Sequence, residues 1–346
     1  TNKNQYLFPF IPVTSLFFLW GFALNLYPIL IPHLKKSFTL TTLQATLVDS
    51  AVFIAYFVMA IPAGMIMKRY GYKSGIITGL LLFAIGSFLF IPAANNQSYN
   101  FFLIALFIIA CGLTILETAA NPYATALGDP KTSTFRLNLA QSFNGLAATL
   151  APYIGAKIIL TKGYSETELN AMTEGARKMA LAAEALSVKG PYLILGIVLV
   201  VIAVIFAFTK LPVIQNSDEH DESKSIFHAF KHKHLSWAVA AQFFYVGAQV
   251  SVFSLFILYA TKSAGITEMQ AAAYLSGCGA AFLTGRFIGT GLMTLFKPER
   301  LLAIYALINV LLCIVAIYGQ GMITVYTVIG ICFFMSIMFP TIFALG

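Results

Sequence analysis

Charge is what this 346-residue sequence has least of: 10% of its residues are charged, while 59% are hydrophobic. A water-soluble fold of this length cannot cover its surface with so few charges, so that class is excluded. Histidine is scarce too. Of the five, only His33 lies outside the stretch 220–234. With no HExxH, no GxSxG and no His/Asp set inside the apolar runs, an embedded enzyme has no catalytic machinery to work with, and the chain is read as not an enzyme. The four cysteines (Cys111, Cys278, Cys313 and Cys332) fall inside apolar runs without CxxC spacing. They are expected to be buried hydrophobes, with no metal and no disulfide. A cleavable leader is not expected either, since the apolar run Phe8–Ile31 is too long and ends on no small-residue cleavage site. The net charge of +8 would suggest nucleic acid in a soluble domain. Here loop charges that fix topology account for it, and no nucleic-acid partner is expected.

What is present is a series of apolar runs, each close to the roughly 20 residues that cross a bilayer as helix. Ten spans are expected: Phe10–Pro32, Leu43–Met67, Gly75–Ala93, Tyr99–Ala120, Leu137–Leu160, Pro191–Phe208, Ser236–Ala260, Met269–Leu295, Leu301–Tyr318 and Ile323–Leu345. The fold class is therefore an all-α polytopic membrane protein, with the lipid bilayer as its medium. Lys68, Arg69, Lys73, Lys131 and Arg136 gather in the loops on one side, which places the N-terminus in the cytoplasm. Gly163–Lys189 alternates charges with alanines and reads as an amphipathic excursion on the outer face. Leu211–His234 is a polar linker, dividing the chain into 1–210, 211–234 and 235–346. His228 and His232 stand four apart, as a metal pair does, but the basic residues around them read better as a lead-in lying on anionic headgroups.

The sequence also repeats. Pro122-Tyr-Ala-Thr-Ala-Leu-Gly128 ends span four, and Pro340-Thr-Ile-Phe-Ala-Leu-Gly346 ends span ten. A separation of six spans implies two parallel six-helix halves. On that count an eleventh and a twelfth span are expected to be missing from the sequence given.

Acids are nearly absent from the apolar runs, and the two exceptions stand out. Glu117 lies in Leu116-Glu-Thr-Ala-Ala-Asn-Pro122, and Asp49 lies near the outer start of span two. An ionised acid at the centre of a membrane helix costs about 2.5–3.5 kcal/mol even on insertion scales. Such a group is kept where it is neutral, paired or facing a wet cavity, so Glu117, with Asn121 and a proline kink at Pro122, reads as a solute or proton site. Arg286 is the one deeply placed cation, suited to an ion pair or a gate. Amides cluster as well: Asn25 in span one, Asn138, Gln141 and Asn144 along one stripe of span five, and Gln242 and Gln249 in span seven. Trp20, Tyr27, Tyr245 and Phe339 offer flat apolar surfaces beside them. Amides with aromatic faces suit a sugar ring, so a small monosaccharide is the expected partner. Membrane amides also glue helices together, at about 0.6 kcal/mol per pair, so the acid weighs more than any single amide.

Six stretches carry a family resemblance: Phe17-Phe-Leu-Trp-Gly-Phe-Ala23, Ile61-Pro-Ala-Gly-Met65, Gly71-Tyr-Lys-Ser-Gly-Ile-Ile-Thr-Gly-Leu80, Leu116-Glu-Thr-Ala-Ala-Asn-Pro122, Arg136-Leu-Asn-Leu-Ala-Gln-Ser-Phe-Asn144 and Tyr245-Val-Gly-Ala-Gln249. Over essentially the whole chain they resemble the fucose–galactose–glucose:proton symporter branch of the major facilitator superfamily. That resemblance implies two six-helix bundles, a central sugar cavity, alternating access and a monomer in a bacterial inner membrane. It implies L-fucose as substrate and the proton as coupling ion, with no cofactor. Glucose, galactose or an amino sugar, with sodium coupling or none, is the runner-up. Carried over by motif, Glu117 is the cavity acid, and Asn25, Gln141, Asn144 and Gln249 line the sugar site. One departure matters. The family pattern has an aspartate in span one where this sequence has Pro28, and glutamine in span two where this sequence has Asp49. The expectation is that the proton-coupling carboxylate has moved from span one to span two; the bland alternative is that Asp49 only caps its helix.

Overall fold

The computed structural model describes residues 4–38, 41–155, 168, 171–209, 212 and 231–346; within them, the side chains of 4–9, 27–37, 42–43, 45–46, 49, 152, 155, 184–185 and 187 lie outside the description. Every regular element among the described residues is a helix. They are α1 (Asn4–Ser37), α2 (Thr42–Asn95), α3 (Tyr99–Ala126), α4 (Ser133–Gly155), α5 (Glu174–Ser187), α6 (Lys189–Phe208), α7 (Lys233–Ala264), α8 (Glu268–Leu292), α9 (Pro298–Tyr318), α10 (Met322–Met335) and α11 (Met338–Leu345). Six stretches among the described residues are long and apolar enough to cross a membrane. Their outward faces carry bare hydrocarbon, with Phe57 at 85% and Phe208 at 84% exposure. That arrangement is stable only in lipid, which is as apolar as the side chains it meets.

The spans map onto these helices with two revisions. Spans two and three are one run of 54 residues. At 1.5 Å per residue that is roughly 80 Å of helix, far more than one bilayer crossing. The run turns at Gly71, whose φ of 77° is left-handed and so favours glycine. Span ten is not continuous either. It breaks at Ser336–Ile337 into α10 and α11, four residues before Pro340, which has no N–H to offer the Ser336 carbonyl. Span four, by contrast, runs through Pro122 as helix. The amphipathic excursion forms α5, while 156–167 and most of the 211–234 linker, His228 included, lie outside the described residues.

Two identical caps support the repeat. Thr41 and Gln44 form a capping box at the start of span two, as Thr267 and Gln270 do at the start of span eight. Each pairing satisfies helix-end donors that have no intrahelical partner.

The chain clusters into two compact units: 1–123 with 150–214, and 124–149 with 215–346. The first part of span five thus packs with spans seven to ten, whereas its place in the sequence puts it in the first half.

In the first unit, spans three and four approach closely. A Cβ on Gly112 would stand 2.4 Å from the Phe83 nitrogen, and one on Gly79 would stand 2.8 Å from the Leu116 nitrogen. Small residues at such points let helix backbones pack in a membrane. Span six lies on span three, with Phe90 and Tyr192 stacked at 3.8 Å. Lys73 donates to the Ala207 and Thr209 carbonyls, at 2.8 and 3.0 Å, closing the end of α6. In the second unit α8 and α9 flank α10, burying Phe256, Cys278, Val325 and Cys332 in one cluster.

Candidate functional site

In the first unit the site begins at Glu117. The rigid pairing of spans three and four fixes the helix that carries it, with Leu116 fully buried and Glu117 half-buried. Tyr56, from span two, stands beside the Glu117 carboxyl. Tyr56 packs with Val52, Ala55, Ala110 and Cys111 where spans two and four meet. Asn121 follows Glu117 by one helical turn and is 3% exposed. The Glu117 neighbourhood is therefore an acid, a phenol and an amide in an apolar wall, a set that can hold a proton or a hydroxylated solute.

Other candidates in this unit are more local. Asn25 donates its Nδ2 to the Gly21 carbonyl at 2.7 Å, one turn back on α1. Trp20 is buried against Phe17, their rings 4.5 Å apart. Tyr27, Pro28 and Asp49 have side chains outside the description. The backbone places Asp49 on α2 seven residues before Tyr56, hence two turns away on the same helix face.

The second unit, taken by itself, holds other candidate residues. Gln141 is 3% exposed, Asn144 partly exposed, and Asn138 fully buried on α4. Asn138 donates to the Thr134 carbonyl at 2.9 Å and to Thr341 Oγ1, on α11, at 3.1 Å. In this stripe Asn138 joins helices, and exposure grows towards Asn144. On α7, Gln242, Tyr245 and Gln249 recur at helical spacing on one face. Both polar atoms of the Gln242 side chain are buried without a hydrogen-bond partner. Tyr245 donates its hydroxyl to the Met335 carbonyl at 2.8 Å, and Phe339 packs beside it on α11.

Arg286, expected as an ion pair or a gate, is 5% exposed. It donates Nε to the Ser336 carbonyl at 2.9 Å and Nη1 to the Gln141 carbonyl at 2.8 Å. Its guanidinium lies 4.7 Å from the centre of the Phe282 ring. Tyr245 and Arg286 thus take up two carbonyls at the break in span ten; that of Ser336 has no donor within the helix, because the residue four further on is Pro340.

Arg136, from the Arg-Leu-Asn-Leu-Ala-Gln motif, clasps the loop between α3 and α4. It donates to the Ala124, Thr125 and Asp129 carbonyls and to Thr132. Among the described residues no group of three or more potential metal ligands gathers.

Sequence reasoning missed Tyr56, Phe282, Ser336 and Thr341. Only Tyr56 left a trace, its two-turn spacing from Asp49; the other three depend on which spans meet.

Comparison with known proteins gives one consistent answer. Residues 13–346 match the Major Facilitator Superfamily. The chain is 43% identical over 354 residues to the L-fucose-proton symporter of Escherichia coli K12, covering 100% of this chain and 81% of that protein. It is 40% identical over 348 residues to a glucose/galactose transporter of Brucella abortus, again covering 100% of this chain and 81% of the relative. A crystal structure of a Major Facilitator Superfamily transporter in the outward conformation matches with a TM-score of 0.91 and 43% identity, over 99% of this chain and 84% of that one.

Proposed function

The chain belongs to the Major Facilitator Superfamily, and from that premise we propose that it carries L-fucose across the membrane together with protons. It is a transporter, not an enzyme. The coupling ion is the proton, and no organic cofactor takes part. The observation that carries the reading is a carboxyl, Glu117, half-buried among apolar residues beside Tyr56, in a chain 43% identical to an L-fucose-proton symporter.

The proposed cycle follows from these groups. A proton arriving from outside neutralises the carboxyl, which removes the cost of holding a charge in an apolar wall. Asp49 and Tyr56 lie on one face of α2, and two helical turns separate them by about 10 Å. That line is a route from the outer start of span two to Glu117. With the acid neutral, the sugar hydroxyls engage amides, for which Asn25, Asn121, Gln141, Asn144 and Gln249 are the proposed residues. Trp20, Tyr245 and Phe339 supply the apolar surfaces around them. The site then opens to the other side, sugar leaves, and the proton follows. The Arg286 contacts favour a gate over an ion pair. The protein is proposed to work as a monomer in a bacterial inner membrane, with its N-terminus cytoplasmic, divided by sequence at the 211–234 linker.

A second reading is glucose or galactose transport, favoured by the 40% identity to the Brucella protein and by Pro28 where the family pattern has an acid. Uptake of labelled L-fucose, galactose, glucose and an amino sugar into vesicles, with and without a pH gradient, separates the two. L-fucose uptake that rises at least tenfold with the gradient is expected. Galactose or glucose uptake indifferent to pH would replace the proposal with the second reading.

A further inference from the structure

Arg286 does more than fill a polar gap. One guanidinium holds the Ser336 carbonyl, at the break in span ten, and the Gln141 carbonyl, on span five. One turn away the same two helices are joined again by Asn138 and Thr341. The helix that carries Arg286 packs against both: a Cβ on Gly145 of span five would stand 3.3 Å from Leu283, and one on Gly285 would stand 2.4 Å from the Phe333 carbonyl of span ten. The bonds across this seam end on neutral partners: two carbonyls, a hydroxyl and an amide. Parting such a seam leaves no unpaired acid behind, unlike the parting of a buried ion pair. The packing is also out of step with the sequence, because span five belongs to the first half of the repeat while residues 124–149 cluster with spans seven to ten.

We propose that Arg286, Asn138 and Thr341 form a latch that ties Gln141 by its backbone to the break in span ten, made while Gln141 is placed for sugar and released when the site opens inward. Arg286 is then a positioning residue: it touches the backbone of a sugar-directed residue, not the sugar. Arginine suits the task because its rigid fork serves two acceptors at once, whereas a lysine ammonium on its flexible stem does not hold that geometry. The inference rests on the transport reading above for the part played by Gln141.

The test joins the seam covalently. In a protein whose four cysteines are replaced by alanine, Asn138→Cys with Thr341→Cys is treated with a short bifunctional thiol reagent cleavable by reductant. L-fucose counterflow in vesicles is expected to fall at least tenfold on cross-linking and to return on reduction. Equilibrium L-fucose binding is expected to stay within about twofold. Undiminished counterflow in the cross-linked protein overturns the latch. A sugar-independent arm uses the Asn138→Cys variant, whose site is fully buried, and a membrane-impermeant maleimide applied from the cytoplasmic face. Arg286→Gln is expected to raise its labelling at least fivefold, and Arg286→Lys, which also serves if the first variant folds poorly, by a smaller factor. Labelling unchanged in both overturns the latch whatever the sugar proves to be. Failure of the uncross-linked protein to carry L-fucose counts against the substrate alone.

Discussion

Spans four and ten end in the same way, with proline six residues before glycine, yet they are built to different ends. Span four runs through Pro122 as helix and carries Glu117 five residues before it. Span ten has Met335 at the equivalent place and breaks there, its Met335 and Ser336 carbonyls taken up by Tyr245 and Arg286. The acid sits in the intact helix, and the broken helix has none. A titrating group needs fixed neighbours if its proton affinity is to respond to the sugar, and close packing at Gly79 and Gly112 supplies them. A pivot needs a backbone already freed from its ladder. Duplication supplied two copies of one element, and each kept a different task.

The comparison can be broken most severely at Glu117. Glu117→Gln keeps the shape but cannot titrate. Accumulation of L-fucose against its gradient is expected to fall by about two orders of magnitude, while exchange at equal concentrations persists. Retained accumulation would move the coupling acid elsewhere. Asp49→Asn follows, with an expected tenfold loss of proton uptake on sugar addition; unchanged uptake would leave Asp49 as a helix cap.

On the pivot side, Tyr245→Phe leaves the Met335 carbonyl buried and unpaired. That costs about 1–3 kcal/mol, to be read as a lowered unfolding midpoint in detergent. The smallest effect sharpens the repeat itself. Thr41→Ala and Thr267→Ala each remove one cap, and each is expected to cost about 1 kcal/mol. Similar losses at both places, measured by thermal unfolding, would show that the duplicated caps do equal duty.

How much of this was legible in the sequence follows from the same contrast. Ten spans could be read because apolar runs are local, and Glu117 could be read because one acid in such a run is conspicuous. Pro122 and Pro340 stand at the same place in the repeat, yet span four runs on as helix through Pro122 while span ten opens four residues before Pro340. Proline removes one donor, but whether a helix opens depends on who receives the freed carbonyls. At span ten those receivers are Tyr245 and Arg286, far away in sequence. Tyr56 was hidden for a related reason: a tyrosine in a membrane helix looks like any other aromatic until the fold sets it beside the acid. Span five was assigned by its order in the chain; the contacts that its first half makes through Asn138 and the Gln141 carbonyl could not be read, since a carbonyl is something every residue possesses.

The central claim is that sugar and proton move together, with Glu117 at the meeting point. Its most direct test adds L-fucose to lightly buffered, de-energised vesicles containing the protein and follows external pH. The account predicts alkalinisation when sugar enters, absent in the Glu117→Gln protein. Sugar entry with no change of external pH in the unaltered protein would contradict it.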